Sequence, residues 1–374
     1  MPARIAFVST IFSHGWGGAD TLWTAVASAA LQRGDKILLS VSPTVAAHHK
    51  VQELVRLGAQ LDRRTPSPDH YPLSLRIRLR LGLAAPHDTA LIASLERFRP
   101  DLIIFNLGGT YDMLPFRKLG QWLHDRRVCY QLVANWQTEH PFLCTSDLDF
   151  LRVVFQDAVA VNFVSRRILD NTRRHLLLPF SNARVVQNPL RWQPSDRCPW
   201  STSSTLRLAT VSRLDHIKGI HLLLHALHIT SAELPDWRLE IIGSGPQEDY
   251  LRETVAHFGL AHRVAFRGHV SSLREIWSMN HLFVSPAIDE GVPMTIPEAM
   301  LCARPVLATC VGGAEDWIQH GETGFLCPAP TVPLLADALR EAARARDRWQ
   351  TMGTAAATAA EARYRPDDHL ALID

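Results

Sequence analysis

The chain has 374 residues, of which 47% are hydrophobic and 20% charged. That balance excludes collagen-like, low-complexity and disordered chains, and the length predicts two domains, each with its own core. With 39 Lys+Arg against 37 Asp+Glu the net charge is +2, too small for a protein that binds a polyanion over its whole surface, so no nucleic-acid partner is expected. The charge is unevenly spread, with 22 basic and 15 acidic side chains in residues 1–190 and 17 and 22 in residues 191–374. The basic half either faces an anionic partner or membrane surface, or is an ordinary solvated face. The six cysteines form no C-x-x-C pair, and several lie in apolar runs. Buried free thiols in a reducing compartment are expected rather than disulfides or zinc. No apolar run reaches 18 residues, and Met1-Pro2-Ala3-Arg4 leads straight into IAFVST without a signal-peptide pattern. A cytoplasmic location follows as the expectation, with peripheral contact on the inner face of a membrane as a further option.

In chain order, short apolar β-branched runs alternate with longer amphipathic stretches. The first half offers strands at Arg4–Thr10, Lys36–Ser42, Asp101–Leu107, Val128–Ala134, Val159–Ser165 and Arg184–Gln187. The second half offers Leu206–Ser212, Arg238–Gly243, Val264–Gly268, His281–Ser285, Pro305–Thr309 and Gly324–Cys327. Continuous apolar runs suit parallel strands buried on both faces, and the helical patterns between them (Thr21–Arg33, Gly219–His228, Pro246–Phe258, Leu334–Arg344) predict doubly wound α/β domains. Pro189–Thr205, rich in Pro, Ser and Thr, reads as the linker. The expected division is therefore 1–190, a linker at 191–205, a second domain at 206–355, and a terminal helix at 356–374.

Ligands of such sheets bind beyond the carboxyl ends of the strands, and the motifs fall there. After the first strand, FSHGWGGADTLW carries Gly15, Gly17 and Gly18 before a helix expected near Asp20; this is an anion cradle or a plain tight turn. Its spacing does not fit a dinucleotide fingerprint. In VSRLDHIKG, Arg213 ends a strand, and Lys218 and Gly219 open a helix. Two cations so placed can converge on a diphosphate. EIIGSGP ends a strand at Gly243, with Pro246 expected at the first helical position. The segment SPAIDEGVPMTIPEAM places Glu290 in a loop and Glu298 eight residues on, in a helix. A carboxylate accepts two hydroxyl hydrogen bonds at once and so grips a vicinal diol, and two of them suit two sugar rings. Val311-Gly312-Gly313 and GETGFL follow the next strands.

Arg213, Lys218-Gly219, Glu290 with Glu298, the VGG turn and GETGFL, in this order and spacing over residues 206–330, resemble the nucleotide-sugar half of glycosyltransferase family 4, the retaining GT-B glycosyltransferases. The resemblance is weaker in the first half, where it rests on the first strand, the Gly-Gly loop and VVQNP near Asn188. It implies two facing Rossmann-like α/β domains with a cleft, the first for the acceptor and the second for the donor. Arg213 and Lys218 would neutralise the donor diphosphate, Glu298 would hold the ribose and Glu290 the donor sugar. The backbone of Val292, Pro293, Met294 and Thr295 would meet the sugar and phosphates. Gly17, Gly18 and Gly243 would also line the donor site, and FRGHV, with Val270, would lie at the base pocket. The terminal segment from Tyr364 would return to the first domain.

The expected chemistry is metal-independent, retaining transfer of a hexosyl or N-acetylhexosaminyl group, from a UDP-sugar first, to a sugar, glycolipid or small natural product. The nucleotide-sugar is a substrate, and no separate cofactor is expected. The alternatives are a nucleotide-sugar epimerase, a phosphorylase, or a non-catalytic nucleotide-sugar-binding subunit. Asp147-Leu148-Asp149 has the letters of a metal pair but is expected in a loop before a helix. The family often carries a His after the fifth strand of the first domain; here LVANWQTEHPF offers Asn135 or His140, and His140 is taken as the catalytic candidate. Arg76, Arg78 and Arg80 alternate with apolar residues in a segment that either touches a membrane or anionic acceptor or covers the first core.

Overall fold

The computed structural model describes residues 2–11, 16–64, 86–136 and 143–374. They form two compact units, Met1–Pro189 with Arg365–Asp374, and Leu190–Tyr364. The arginine-rich segment 76–80 and His140 lie outside the described residues.

The first unit is built on a parallel sheet in the order β3-β2-β1-β4-β5-β6-β7. Its strands are β1 (Arg4–Ser9), β2 (Lys36–Val41), β3 (Gln60–Arg63), β4 (Leu102–Gly109), β5 (Tyr130–Trp136), β6 (Ala160–Phe163) and β7 (Ala183–Val185). The second unit repeats the plan in the order β10-β9-β8-β11-β12-β13. Here the strands are β8 (Leu206–Val211), β9 (Trp237–Ile242), β10 (Val264–Gly268), β11 (Leu282–Ser285), β12 (Val306–Thr309) and β13 (Gly324–Cys327). Both are doubly wound α/β sheets of Rossmann type. The strand that the sequence pattern missed is β3, QLDR, an edge strand paired only with β2 among the described residues. Half-exposed edges need no apolar run, so period and hydropathy give it no signal.

In the second unit successive strand residues enter opposite cores. Leu208, Leu239, Ile241, Leu282, Val284 and Leu307 face one cluster with the helices Ile220–Thr230 and Val332–Arg344. Ala209, Ile242, Phe283, Val306 and Ala308 face the other, with the helix Thr295–Leu301. Burial of both faces is why these strands read as unbroken apolar runs.

The segment expected as a linker belongs to the second unit, because two arginines of that unit, one of them buried, hold it there. Arg304 is almost fully buried. It donates to the carbonyls of Trp277 (2.9 Å), Asn280 (2.8 Å), Cys302 (2.9 Å) and Pro199 (2.8 Å), and lies 5.1 Å from the Trp200 ring centroid. Arg274 holds the carbonyls of Ser195 and Arg197. At the other end, the helix Trp349–Arg363 stays in the second unit, and only Arg365–Asp374 returns to the first. The returning segment is thus shorter than the helix expected from residue 356. It is held by Asp368, which accepts the Gln187 N–H at 2.7 Å, and by Arg184 and Arg33, which donate to the carbonyls of Ala371 and Ile373.

Two local expectations are corrected. Pro246 lies in a turn ahead of the helix Glu248–His257, not at its first position. Asp147 and Asp149 are in the first turns of the helix Thr145–Asp157, where Asp147 accepts the Cys144 N–H and pairs with Arg117. Among the described residues no helix is long and apolar enough to cross a membrane.

Arg304→Met should leave several buried carbonyls without a donor and lower stability by at least about 3 kcal/mol, read by thermal unfolding. Arg304→Lys should lose nearly as much, because an ammonium cannot span the same fork of acceptors. A loss below about 1 kcal/mol in both variants would contradict this role.

Candidate active site

In the second unit β8 and β11 are adjacent, and their connections leave toward opposite cores. This is the topological switch point of the sheet, where such folds leave a crevice beyond the carboxyl ends. Three loops and the end of β12 meet there. The Ile288 N–H donates to Ile217 O at 2.7 Å, which joins the loop after β11 to the loop after β8. Leu214 N–H donates to Ser244 O at 3.0 Å, and Gln247 N–H to Leu214 O at 2.9 Å, which joins the loop after β9. Thr309, ending β12, donates its hydroxyl to Ala287 O at 2.6 Å.

Glycines allow this close nesting. Gly219 has φ +64, and a Cβ placed on it would come 1.9 Å from Pro286 O. Gly312 has φ +54, and its Cβ would come 2.4 Å from Glu290 O and 2.6 Å from Gly291 O. Only a residue without a side chain fits either place.

The nested loops bring Lys218 and Glu290 together although 72 residues separate them. Lys218 Nζ forms a short ion pair with Glu290 Oε1, and the two side chains are 19% and 14% exposed. Arg213 lies two residues beyond β8, and its Nη2 donates to Asp215 Oδ2 at 2.6 Å. Both cations expected to meet a diphosphate are therefore paired with carboxylates in this structure.

Glu298 sits in the helix Thr295–Leu301 and is 3% exposed. Burial pushes its carboxyl above the ordinary glutamate range, opposed by the charge and hydrogen bonds of Arg191. Arg191 Nε donates to Glu298 Oε2 at 3.1 Å, and Arg191 N–H donates to Oε1 at 3.4 Å. Val292, Met294 and Thr295 are half-buried and Pro293 is buried, in the same loop and helix start. Gly243 follows β9, and a Cβ placed on it would come 1.9 Å from Ser212 O. Val270 follows β10 and packs on the core cluster that holds Ile296 and Ala299.

Gly17 and Gly18 belong to the first unit, where the helix Gly18–Gln32 begins. Asp20 is its third residue rather than its start, and its buried carboxylate accepts the Gly17 N–H at 3.1 Å and the Trp23 indole N–H at 3.1 Å. Part of the expected anion cradle is thus taken up by the helix's own acid. Asn135 is buried at the end of β5 and donates to Asn106 Oδ1 and Leu107 O, both at 2.8 Å.

Three participants carry no distinguishing signal in the sequence. Asp215 is one polar residue among several in a loop. Arg191 lies in a stretch that reads as linker. Ser212, whose hydroxyl is buried without a partner among the described residues, ends a strand like many serines.

Residues 205–344 match the family described as "Glycosyl transferases group 1". An uncharacterized glycosyltransferase of Haemophilus influenzae is 27% identical over 148 residues, 39% of this chain and 41% of that protein. The GDP-mannose-dependent alpha-(1-6)-phosphatidylinositol monomannoside mannosyltransferase of Mycobacterium tuberculosis is 31% identical over 166 residues, 42% of this chain and 43% of that protein. The chain thus spans about two fifths of the length of these curated relatives. The crystal structure of Anabaena Alr3699/HepE in complex with UDP superposes with a TM-score of 0.73 at 19% identity, covering 99% of this chain and 98% of that one. The fold is GT-B.

Gly219→Ala should cost at least about 2 kcal/mol in thermal unfolding, because the new Cβ forces the loops after β8 and β11 apart. Gly321→Ala, at φ +80 with nothing within 4 Å of the added Cβ, provides the control and should cost only the left-handed strain of about 1 kcal/mol. Equal losses in the two would contradict the nesting.

Proposed function

We propose that the chain is a retaining glycosyltransferase that moves a hexosyl or N-acetylhexosaminyl group from a nucleoside-diphosphate sugar to an acceptor hydroxyl. The observation that carries this reading is the Lys218–Glu290 pair at the switch point between β8 and β11, with Arg213 in the same loop as Lys218 and buried Glu298 in the helix that follows Glu290, all within the segment that matches the glycosyl transferase family.

In this reading Arg213 and Lys218 exchange their carboxylate partners for the donor diphosphate. The charge that develops on the leaving phosphate then meets two fixed cations in a partly desolvated crevice. Glu290, released from Lys218, accepts hydroxyls of the donor sugar, and the backbone of Val292–Thr295 borders the sugar and phosphates. Glu298 takes the ribose diol, and the segment at Val270 borders the base. The anomeric C–O bond to the phosphate breaks with its electron pair going to the phosphate oxygen. The acceptor oxygen bonds the anomeric carbon from the same face, and the departing phosphate oxygen takes its proton. No enzymic base and no metal ion is needed for charge balance, and no separate cofactor takes part. The first unit would receive the acceptor: a sugar, a glycolipid or a small natural product. UDP is the first nucleotide to test, because the Anabaena neighbour was crystallised with it; GDP is the second, after the mannosyltransferase relative. The cysteine pattern supports a cytoplasmic site of action.

Lys218→Ala should lower kcat by about 100- to 1000-fold, the effect of removing one group that stabilises developing charge. Glu298→Gln should mainly raise the KM for the donor, by about tenfold or more. Transfer should persist in EDTA, and proton NMR of the product should show the anomeric configuration of the donor. A Lys218→Ala rate close to that of the wild type, or an inverted product, would refute the corresponding assignment.

A further inference from the structure

The Arg191–Glu298 contact has a geometry that a simple surface ion pair would not need. Glu298 is 3% exposed, whereas the Arg191 side chain is 38% exposed. Arg191 uses its backbone N–H on one carboxylate oxygen and its Nε–H on the other. An ionised carboxylate has about four acceptor positions, two on each oxygen. Arg191 occupies one on each side and leaves one on each, the pattern that two neighbouring hydroxyls require.

Its backbone is also fixed from both directions. Leu190, immediately before it, donates its N–H to Tyr364 Oη at 3.0 Å. Leu190 and Tyr364 are the first and last residues of the second unit, so Arg191 springs from the point where the chain enters and leaves that unit. Trp192, immediately after it, packs against the core cluster that contains Ile296 and Ala299.

We propose that Arg191 is a positioning residue for the donor nucleotide, orienting the Glu298 carboxylate so that its two remaining acceptor positions take a ribose diol. This rests on the assignment of Glu298 to the ribose made above. The charged and titratable groups around Glu298 are Arg191, which favours the carboxylate, and Asp196, which disfavours it; Cys302 neighbours it on the same helix end and is itself pushed up to about 12 by burial. Without Arg191 the burial of Glu298 would go unopposed by a cation among these groups. The side chain would then hold a proton to higher pH, and it would lose acceptor capacity as the pH falls.

The test is titration calorimetry on the full chain with UDP and 2′-deoxy-UDP, or the GDP pair if GDP binds more tightly, at pH 8 and pH 6. Wild type, Arg191→Met, Arg191→Lys and Glu298→Gln are compared, each checked for folding by circular dichroism. The wild type should prefer the ribonucleotide by about tenfold or more. Arg191→Met should reduce that preference to within about threefold while leaving the deoxy affinity nearly unchanged, and its ribonucleotide affinity should fall more from pH 8 to pH 6 than that of the wild type. Arg191→Lys, which keeps the charge but not the fork, should be intermediate. If Arg191→Met weakens both nucleotides equally, or neither, Arg191 has only a structural role and the inference fails. If Glu298→Gln keeps the full ribose preference, the assignment of Glu298 to the ribose fails. If no ribonucleoside diphosphate binds the wild type at millimolar concentration, the proposed function falls and this inference with it.

Discussion

Two adjacent parallel strands whose connections leave on opposite sides of the sheet cannot share a loop above their ends. In the second unit those strands are β8 and β11, and the placement of Arg213, Lys218, Glu290 and Glu298 depends on their divergence. The crevice would be too wide for concerted contacts if the loops stood apart. They do not, because Gly219 and Gly312 let one loop backbone rest against another. That nesting fixes where Lys218 and Glu290 start, and it does so with atoms that carry no side-chain chemistry.

The charges obey a second constraint. A carboxylate removed from water needs a cation or several hydrogen bonds, or it takes up a proton. Glu298 is the most deeply buried acid of the site and has Arg191; Glu290 is less buried and has Lys218; Asp215 is more open and has Arg213. Each acid thus lies beside a cation, and an anionic ligand with hydroxyl groups can take the place of one partner in a pair without leaving the other unmatched. The same logic, with carbonyls in place of acids, holds Arg304 against residues 198–200 and joins the entry of the second unit to its core.

Much of this was legible in the residues. Twelve of the thirteen strands coincide with runs picked out in the sequence, and the central ones are apolar throughout because both their faces are buried. The loop positions of Arg213, Lys218 and Glu290 follow from strand ends and turn glycines. What stayed hidden has physical reasons. β3 lies at an edge and needs no apolar pattern. Arg191 lies in a Pro- and Ser-rich stretch whose composition resembles a linker, yet tertiary contacts with Arg304, Arg274 and Glu298 bind that stretch to the second unit. The partner of Lys218 could not be read, since pairing across 72 residues is decided by loop geometry and not by spacing; that of Arg213, two residues on, is one polar residue among several in its loop. Asp147 and Asp149, expected in a loop before a helix, lie in the helix itself, where Asp147 is a first-turn acid held by Cys144 and Arg117.

The central claim is that the crevice between β8 and β11 binds a ribonucleoside diphosphate through its own cations and carboxylates. Thermal unfolding of the protein with UDP, GDP, ADP and dTDP, in the presence of EDTA, tests it most directly. A ligand at about 100 times its dissociation constant adds roughly 2.7 kcal/mol, a plainly visible shift. One ribonucleoside diphosphate should raise the midpoint in this way, and Lys218→Ala should abolish the rise. No shift with any of the four, or a shift unchanged in Lys218→Ala, would contradict the account.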